Sequence, residues 1–292
     1  MSIETELIKK LKNTANRVRI KVIKMIGNAG SGHAGGSMSA TDILAVLYGH
    51  VMKIDPKKPD WEDRDRFILS KGHASFAMYS TFSEVGIIPE KILYTAYSTD
   101  SPCQAHPEVG RCPGVEMSTG ALGQGLSAGI GMAIGAKIRK KDFRVYVIMG
   151  DAECHEGQVW EAMMSAPKYK LDNLVAIIDY NKLALSAPID KVMSLEPIPD
   201  KAKAFGWNVL ETDGHDVGEL VEVFEKAKNF KNEKPTLIIA HTTKAKGISY
   251  LENKWNSHAV VMDLDQAQSV LNDLGCPADE IEEYLTFVKE KK

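Results

Sequence analysis

Three aliphatic runs constrain this chain more than anything else in it: RVYVIMG at 144–150, NLVAIID at 173–179 and PTLIIAHTT at 235–243. Each is a continuous stretch of β-branched and long apolar side chains with no polar alternation. Such strands belong to a parallel sheet covered on both faces. Helix-length segments separate them, EGQVWEAMMSAPKY after the first run and VGELVEVFEKAKNF before the third. GWNVLETDGHD, ahead of the second segment, reads as another strand. The spacing matches right-handed βαβ units.

The rest of the chain fits this plan. Leu7, Leu11, Val18, Val22 and Ile26 recur at helical spacing over 4–28. GNAGSGHAGGSMSATD is expected to be a glycine-rich loop, with Ser39 or Thr41 capping the next helix, ATDILAVLYGHVM. RFILSKGHASFAMYSTFSEVG reads as strand, turn and helix. GVEMSTGALGQGLSAGIGMAIGAKIRK begins as a glycine-rich loop and becomes a Gly/Ala-lined helix, a candidate for close packing or a subunit contact. Two small helices follow from about residue 263. The expectation is a single α/β domain over 1–292, a doubly wound, mostly parallel sheet with helices on both faces.

Composition removes several function classes. The net charge of −3 supplies no field for nucleic acid. No apolar run approaches the ~18 residues of a membrane span, and MSIETELIKKLKNTANR lacks an apolar signal core. Cys103, Cys112, Cys154 and Cys276 form no C-x-x-C, which points to reduced thiols in the cytoplasm. Nothing local pairs with Cys154 to make it a nucleophile.

Ligands of doubly wound sheets sit beyond the carboxyl ends of the strands. The first run ends on Asp151, and Asn181 lies just past the second. If the two strands are neighbours, both side chains reach one crevice. A carboxylate, an amide oxygen and a nearby carbonyl are hard oxygen ligands suited to Mg²⁺ or Ca²⁺. Gly150 and Ala152 leave the backbone accessible there, and the next helix offers its positive end to an anion. Four of eight histidines stand in small-residue turns, SGHAGGSMS, SKGHASF, QAHPEVG and NSHAVV. A lone histidine is commonly structural, but imidazoles can also donate to phosphate or sugar oxygens and carry protons near neutral pH. His50, His155, His215 and His241 read as structural or surface residues, although His215 occupies the turn TDGHD.

At these residues the chain resembles the thiamine-diphosphate motif, G-D-G with a downstream Asn, and more closely transketolase. HPEVGRCPGVEMSTGALGQG is the longest matching segment. Ala152 replaces the motif's last glycine, a change that is compatible with close phosphate approach while φ stays negative. The resemblance implies the thiamine-diphosphate-binding fold. It implies that His33 and His106 contact sugar hydroxyls and move protons, and that His258 contacts cofactor and substrate. His73, Gly120, Leu122, Asp151, Ala152 and Asn181 would bind thiamine diphosphate. Asp151, Asn181 and the Leu183 carbonyl would hold Mg²⁺ or Ca²⁺. Glu156 and Glu161 would couple two sites across a dimer, beside the plainer reading of a solvated first helical turn.

Transketolase also needs a glutamate from a pyrimidine-binding domain, and the resemblance covers only the first of the family's three domains. The implied protein is the N-terminal subunit of a split transketolase (EC 2.2.1.1) of the pentose phosphate pathway. It would act on sugar phosphates and be inactive alone. Its partner would be a C-terminal transketolase subunit, the two forming a dimer of heterodimers. Alternatives are a subunit resembling deoxyxylulose phosphate synthase or a 2-oxo-acid dehydrogenase, or a non-catalytic cofactor-binding subunit. No G-x-G-x-x-G follows an early strand, which disfavours a nicotinamide enzyme.

Overall fold

The computed structural model describes residues 3–291; Met1, Ser2 and Lys292, included in the expected domain, lie outside the described residues. The chain opens with helix α1 (Ile3–Ala29), a two-residue strand β1 (Ser31–Gly32), and helices α2 (Ala34–Ser39) and α3 (Thr41–Val46). Strand β2 (Arg66–Leu69) leads to α4 (Ser75–Glu84), α5 (Glu90–Leu93) and α6 (Gly125–Ile138). Then come β3 (Val145–Gly150), α7 (Gly157–Lys168), β4 (Leu174–Tyr180), α8 (Ile189–Val192), α9 (Ile198–Phe205), β5 (Asn208–Asp213), α10 (Val217–Asn229) and β6 (Thr236–His241). Strand β7 (Val260–Val261) and helices α11 (Leu264–Asp273) and α12 (Ala278–Lys291) complete it.

The main sheet runs β2-β3-β4-β6-β5, and every pairing in it is parallel. Strand residues alternate between two cores. Val145, Val147 and Met149 of β3, with Leu174, Ala176 and Ile178 of β4, pack on the side of α6, α7 and α9. Tyr146 and Ile148, with Val175 and Ile177, face α1, α3, α4 and α10. Burial on both faces explains why these strands read as unbroken apolar runs. Asp263 closes a capping box with Gln266 at the start of α11, so the C-terminal helices begin where the sequence places them.

Two local expectations are corrected. The segment expected as a glycine-rich loop folds at 34–39 into α2, every residue of which is buried, so tertiary packing outweighs the poor helix propensity of Gly and Ser. Neither Ser39 nor Thr41 caps α3: the position falls to Ala40, Ser39 Oγ turns to Gly36 O and Asp179, and Thr41 Oγ1 bonds Ser37 O. Helix α7 opens at Gly157, where EGQVWEA places it, and a 3-10 turn at 152–155 joins it to Asp151. The Gly/Ala helix α6 is buried on one side only. A β-carbon at Gly129 would sit 2.5 Å from Val147 Cγ2, whereas Gly131 and Gly135 face open space and Ile138 is 76% exposed.

Candidate active site

Strands β3 and β4 are neighbours, with Gly150 opposite Asp179, so Asp151 and Asn181 emerge side by side at the carboxyl edge. Asp151 is buried and accepts hydrogen bonds from the backbone N–H of Ala152 (2.8 Å) and of Lys182. Asn181 Oδ1 accepts from Leu183 N at 3.1 Å. Burial and the neighbouring Asp179 charge push the Asp151 carboxyl up to about 7. Ala152 lies in the 3-10 turn and keeps a negative φ, the condition its extra methyl requires.

All four turn histidines converge on this edge. His33 stands 5.6 Å from His73, 6.0 Å from His106 and 5.4 Å from His258 between ring centroids, and His73 lies 4.7 Å from His258. The antiparallel pair β1–β7 makes the junction. Gly32 pairs with Val260, which brings His33, just after β1, against His258, just before β7. Gly120 takes φ +145°, a conformation that favours glycine, and a β-carbon there would meet His106 at 2.9 Å. Burial lowers His33, His73 and His258; Lys71 pushes His73 further down, and Lys244 helps bring His258 to about 4.

These residues line one cavity of about 300 Å³, together with Gly120, Leu122, Gly150, Ala152 and Leu183. Glu156 and Glu161 stand apart from it, both exposed, Glu156 at the N-cap position of α7 without a side-chain cap bond and Glu161 within the helix. Cys154 is fully buried and its thiol is raised by that burial, which leaves it unsuited to nucleophilic attack. The other histidines are tied elsewhere: His155 to Met193 O, His50 near Glu225, His241 to Glu211 and His215 to Asp42.

Four site residues escape a reading of the sequence. Lys71 ion-pairs with Asp179 on the cavity floor, where Ser39 and Thr242 hydroxyls also donate to that carboxylate. Burial pushes Asp179 up, yet Lys71 and the two hydroxyls hold it below the usual carboxylate range. Lys244 Nζ donates to Ala184 O (2.9 Å) and Leu183 O (3.3 Å); burial, then Lys71, brings it down to about 8. Glu153 accepts from Ser70 Oγ, Gly123 N (2.9 Å) and Gly150 N (3.0 Å), tying the β2 and β3 exits to the loop before α6. A carboxylate inside an apolar strand, as in VAIIDY, is the available signal for Asp179.

The pocket fits a diphosphate cofactor held through a hard cation. His33, which lines the cavity, has its Nδ1 buried without a hydrogen-bond partner. The Asp151 carboxylate, the Asn181 amide and the Leu183 carbonyl, which line the cavity, are hard oxygen donors of the kind that suit Mg²⁺ or Ca²⁺.

A doubly wound sheet with this polar cavity at its carboxyl edge defines an α/β cofactor-binding protein. The chain belongs to the transketolase family: residues 10–286 match the transketolase thiamine diphosphate binding domain. It is 40% identical over 282 residues to one subunit of the apulose-4-phosphate transketolase of Phocaeicola vulgatus, covering 97% of this chain and 98% of that one. It is 42% identical over 248 residues to a 6-deoxy-6-sulfo-D-fructose transketolase subunit of a Clostridium species, covering 85% of this chain and 90% of that one. The crystal structure of transketolase from Campylobacter jejuni superposes with a TM-score of 0.85 at 32% identity, covering 97% of this chain and 46% of that chain. The chain thus spans just under half of that transketolase and nearly the whole of the subunit-type relatives. The fold is the thiamine-diphosphate-binding fold of these structures.

Proposed function

We propose that this chain, acting over 1–292 as one diphosphate-binding domain, is the N-terminal subunit of a split transketolase in the cytoplasm. With a separate subunit carrying the pyrimidine-binding domain, it transfers a two-carbon ketol unit from a ketose phosphate to an aldose phosphate. The observation that carries this reading is the convergence of His33, His73, His106 and His258 on the Asp151–Asn181 pair in one cavity. The near-complete overlap with relatives named as transketolase subunits supports the split.

In this reading Asp151, Asn181 and the Leu183 carbonyl hold Mg²⁺ or Ca²⁺, which neutralises the diphosphate. Gly120, Leu122 and Ala152 present backbone to the cofactor, and His73 donates to it. The chemistry that thiamine diphosphate supplies when bound is nucleophilic addition to a sugar carbonyl. His33 and His106 orient hydroxyls and move protons between them, as imidazoles can do. His258 stabilises charge developing beside the reacting carbonyl. Glu156 and Glu161, exposed on the α7 side, face a second protomer, where they couple two sites in a dimer of heterodimers. Ordinary pentose phosphate sugars are the first substrates to try; the names of the relatives add apulose-4-phosphate and 6-deoxy-6-sulfofructose.

The test begins by purifying the chain from its native host with whatever accompanies it. The expected companion carries a pyrimidine-binding domain, and ketol transfer appears only when both chains are mixed. His33→Ala and His106→Ala should each lower kcat/KM by about 10²-fold or more in that assembly. Full transfer by the lone chain, or unchanged rates in both variants, rejects the proposal.

A further inference from the structure

His215 reads as structural in the sequence, yet its bonds run toward the pocket. Thr243 N donates to His215 Nε2 at 2.8 Å, so Nε2 is the acceptor and the neutral ring carries its proton on Nδ1. Nδ1 lies 2.7 Å from Asp42 Oδ2, and Arg19 donates to both oxygens of the same buried carboxylate. Arg19 on α1 and Asp42 on α3 therefore fix the tautomer and orientation of an imidazole in the turn between β5 and α10. That imidazole takes up the amide of Thr243, two residues past the end of β6.

The segment held in this way reaches the site within one residue on either side. Thr242 Oγ1 donates to Asp179, Lys244 Nζ donates to the carbonyls of Leu183 and Ala184, and Ala245 N bonds Gly35 O at 3.0 Å with φ +60°. Leu183 is the carbonyl assigned above to the metal. We propose that His215 is a positioning residue. Through Thr243 it sets Lys244, and through Lys244 the loop after β4 that meets the metal–diphosphate end of the cavity. The inference rests on the transketolase-type reading of that cavity.

Two near-isosteric variants separate the two bonds of the ring. His215→Gln can place an amide oxygen where Nε2 stands and keep the Thr243 amide satisfied, at the loss of the Asp42 contact. His215→Asn can place its amide N–H₂ where Nδ1 stands and keep Asp42 satisfied, but leaves the Thr243 amide without an acceptor. The first readout needs no ligand: amide hydrogen exchange of the peptide over 242–246, together with the melting temperature. His215→Asn should accelerate exchange there by about tenfold or more, the scale of one lost buried hydrogen bond, and His215→Gln should stay within about threefold of the wild type.

The second readout is binding of thiamine diphosphate with Mg²⁺, followed by intrinsic fluorescence. His215→Asn should weaken it by about tenfold and His215→Gln should largely rescue it. A purely structural histidine would instead give equal losses in both variants, in step with their melting temperatures. Unchanged exchange over 242–246 in His215→Asn, or the same change in both variants, overturns the proposal. Failure of the wild-type chain to bind thiamine diphosphate even with its companion subunit present overturns the transketolase reading instead, while the exchange data still judge the role of His215.

Discussion

His33, His73 and His258 stand with ring centroids 4.7–5.6 Å apart, close to the ammonium groups of Lys71 and Lys244. Protonating any of them adds a like charge in a half-closed pocket, and burial already disfavours it. His258, lowered to about 4 from 6.5, therefore takes up its proton in the unfolded chain before it does in the folded one. Between those values the unfolded state binds more protons, so stability falls as pH drops from about 6.5 to about 4 and this group contributes no slope above. His258→Gln should flatten that limb. Urea midpoints near pH 7 and about pH 5 measure it, and the same shift in wild type and variant would contradict the assignment. These histidines are visible in the sequence because each sits in a small-residue turn. Their companions Lys71 and Asp179, 108 positions apart, and His215 and Asp42, 173 apart, are not. Sequence spacing carries no signal for a pair made only by the folded sheet.

Elements are legible in proportion to how far their residues alone decide them. The apolar runs of β3, β4 and β6 can only be covered strands, and their neighbouring ends place Asp151 beside Asn181. Strands β1 and β7 have two residues each, too short for any period, yet they set His33 against His258. Helix α2 is helical because it is buried and not because of its composition. The Gly-rich helix α6 lies between these cases: its sequence announces close approach but not which face makes it. A β-carbon added at Gly129 would run into β3 and one at Gly131 would meet nothing within 4 Å, so the same substitution should act in opposite directions. Gly129→Ala pushes a methyl into Val147 and should cost about 1–3 kcal/mol. Gly131→Ala relieves the helix of a glycine and should add about 0.5–1 kcal/mol. Thermal melts of the two variants decide this; a destabilised Gly131→Ala would show that α6 is covered on its outer side.

Across the molecule, the polar cavity is built at a cost that a ligand can return. Asp151 is held up to about 7 beside Asp179, and His33 Nδ1 is buried without a partner. Lys71 and Asp179 are almost wholly withdrawn from water, an arrangement that stabilises little by itself. A fold that gathers these groups at the edge of β2, β3, β4 and β6 should therefore be measurably looser empty than filled. Anything that binds the native state alone stabilises it by RT ln(1 + [L]/Kd), about 2.7 kcal/mol at a hundredfold excess over Kd. For a chain of 292 residues that corresponds to roughly 4 °C in melting temperature. Thiamine diphosphate with Mg²⁺ should raise the melting temperature by this order, and a chelator should reverse it by removing the cation proposed above to sit on Asp151 and Asn181. Asp151→Asn should respond to neither addition, and because its amide can accept only one of the two backbone N–H bonds that Asp151 takes from Ala152 and Lys182, its unliganded melting temperature serves as its own baseline. A cofactor-dependent shift that persists in Asp151→Asn, or one insensitive to chelation, would place the diphosphate somewhere other than at the end of β3.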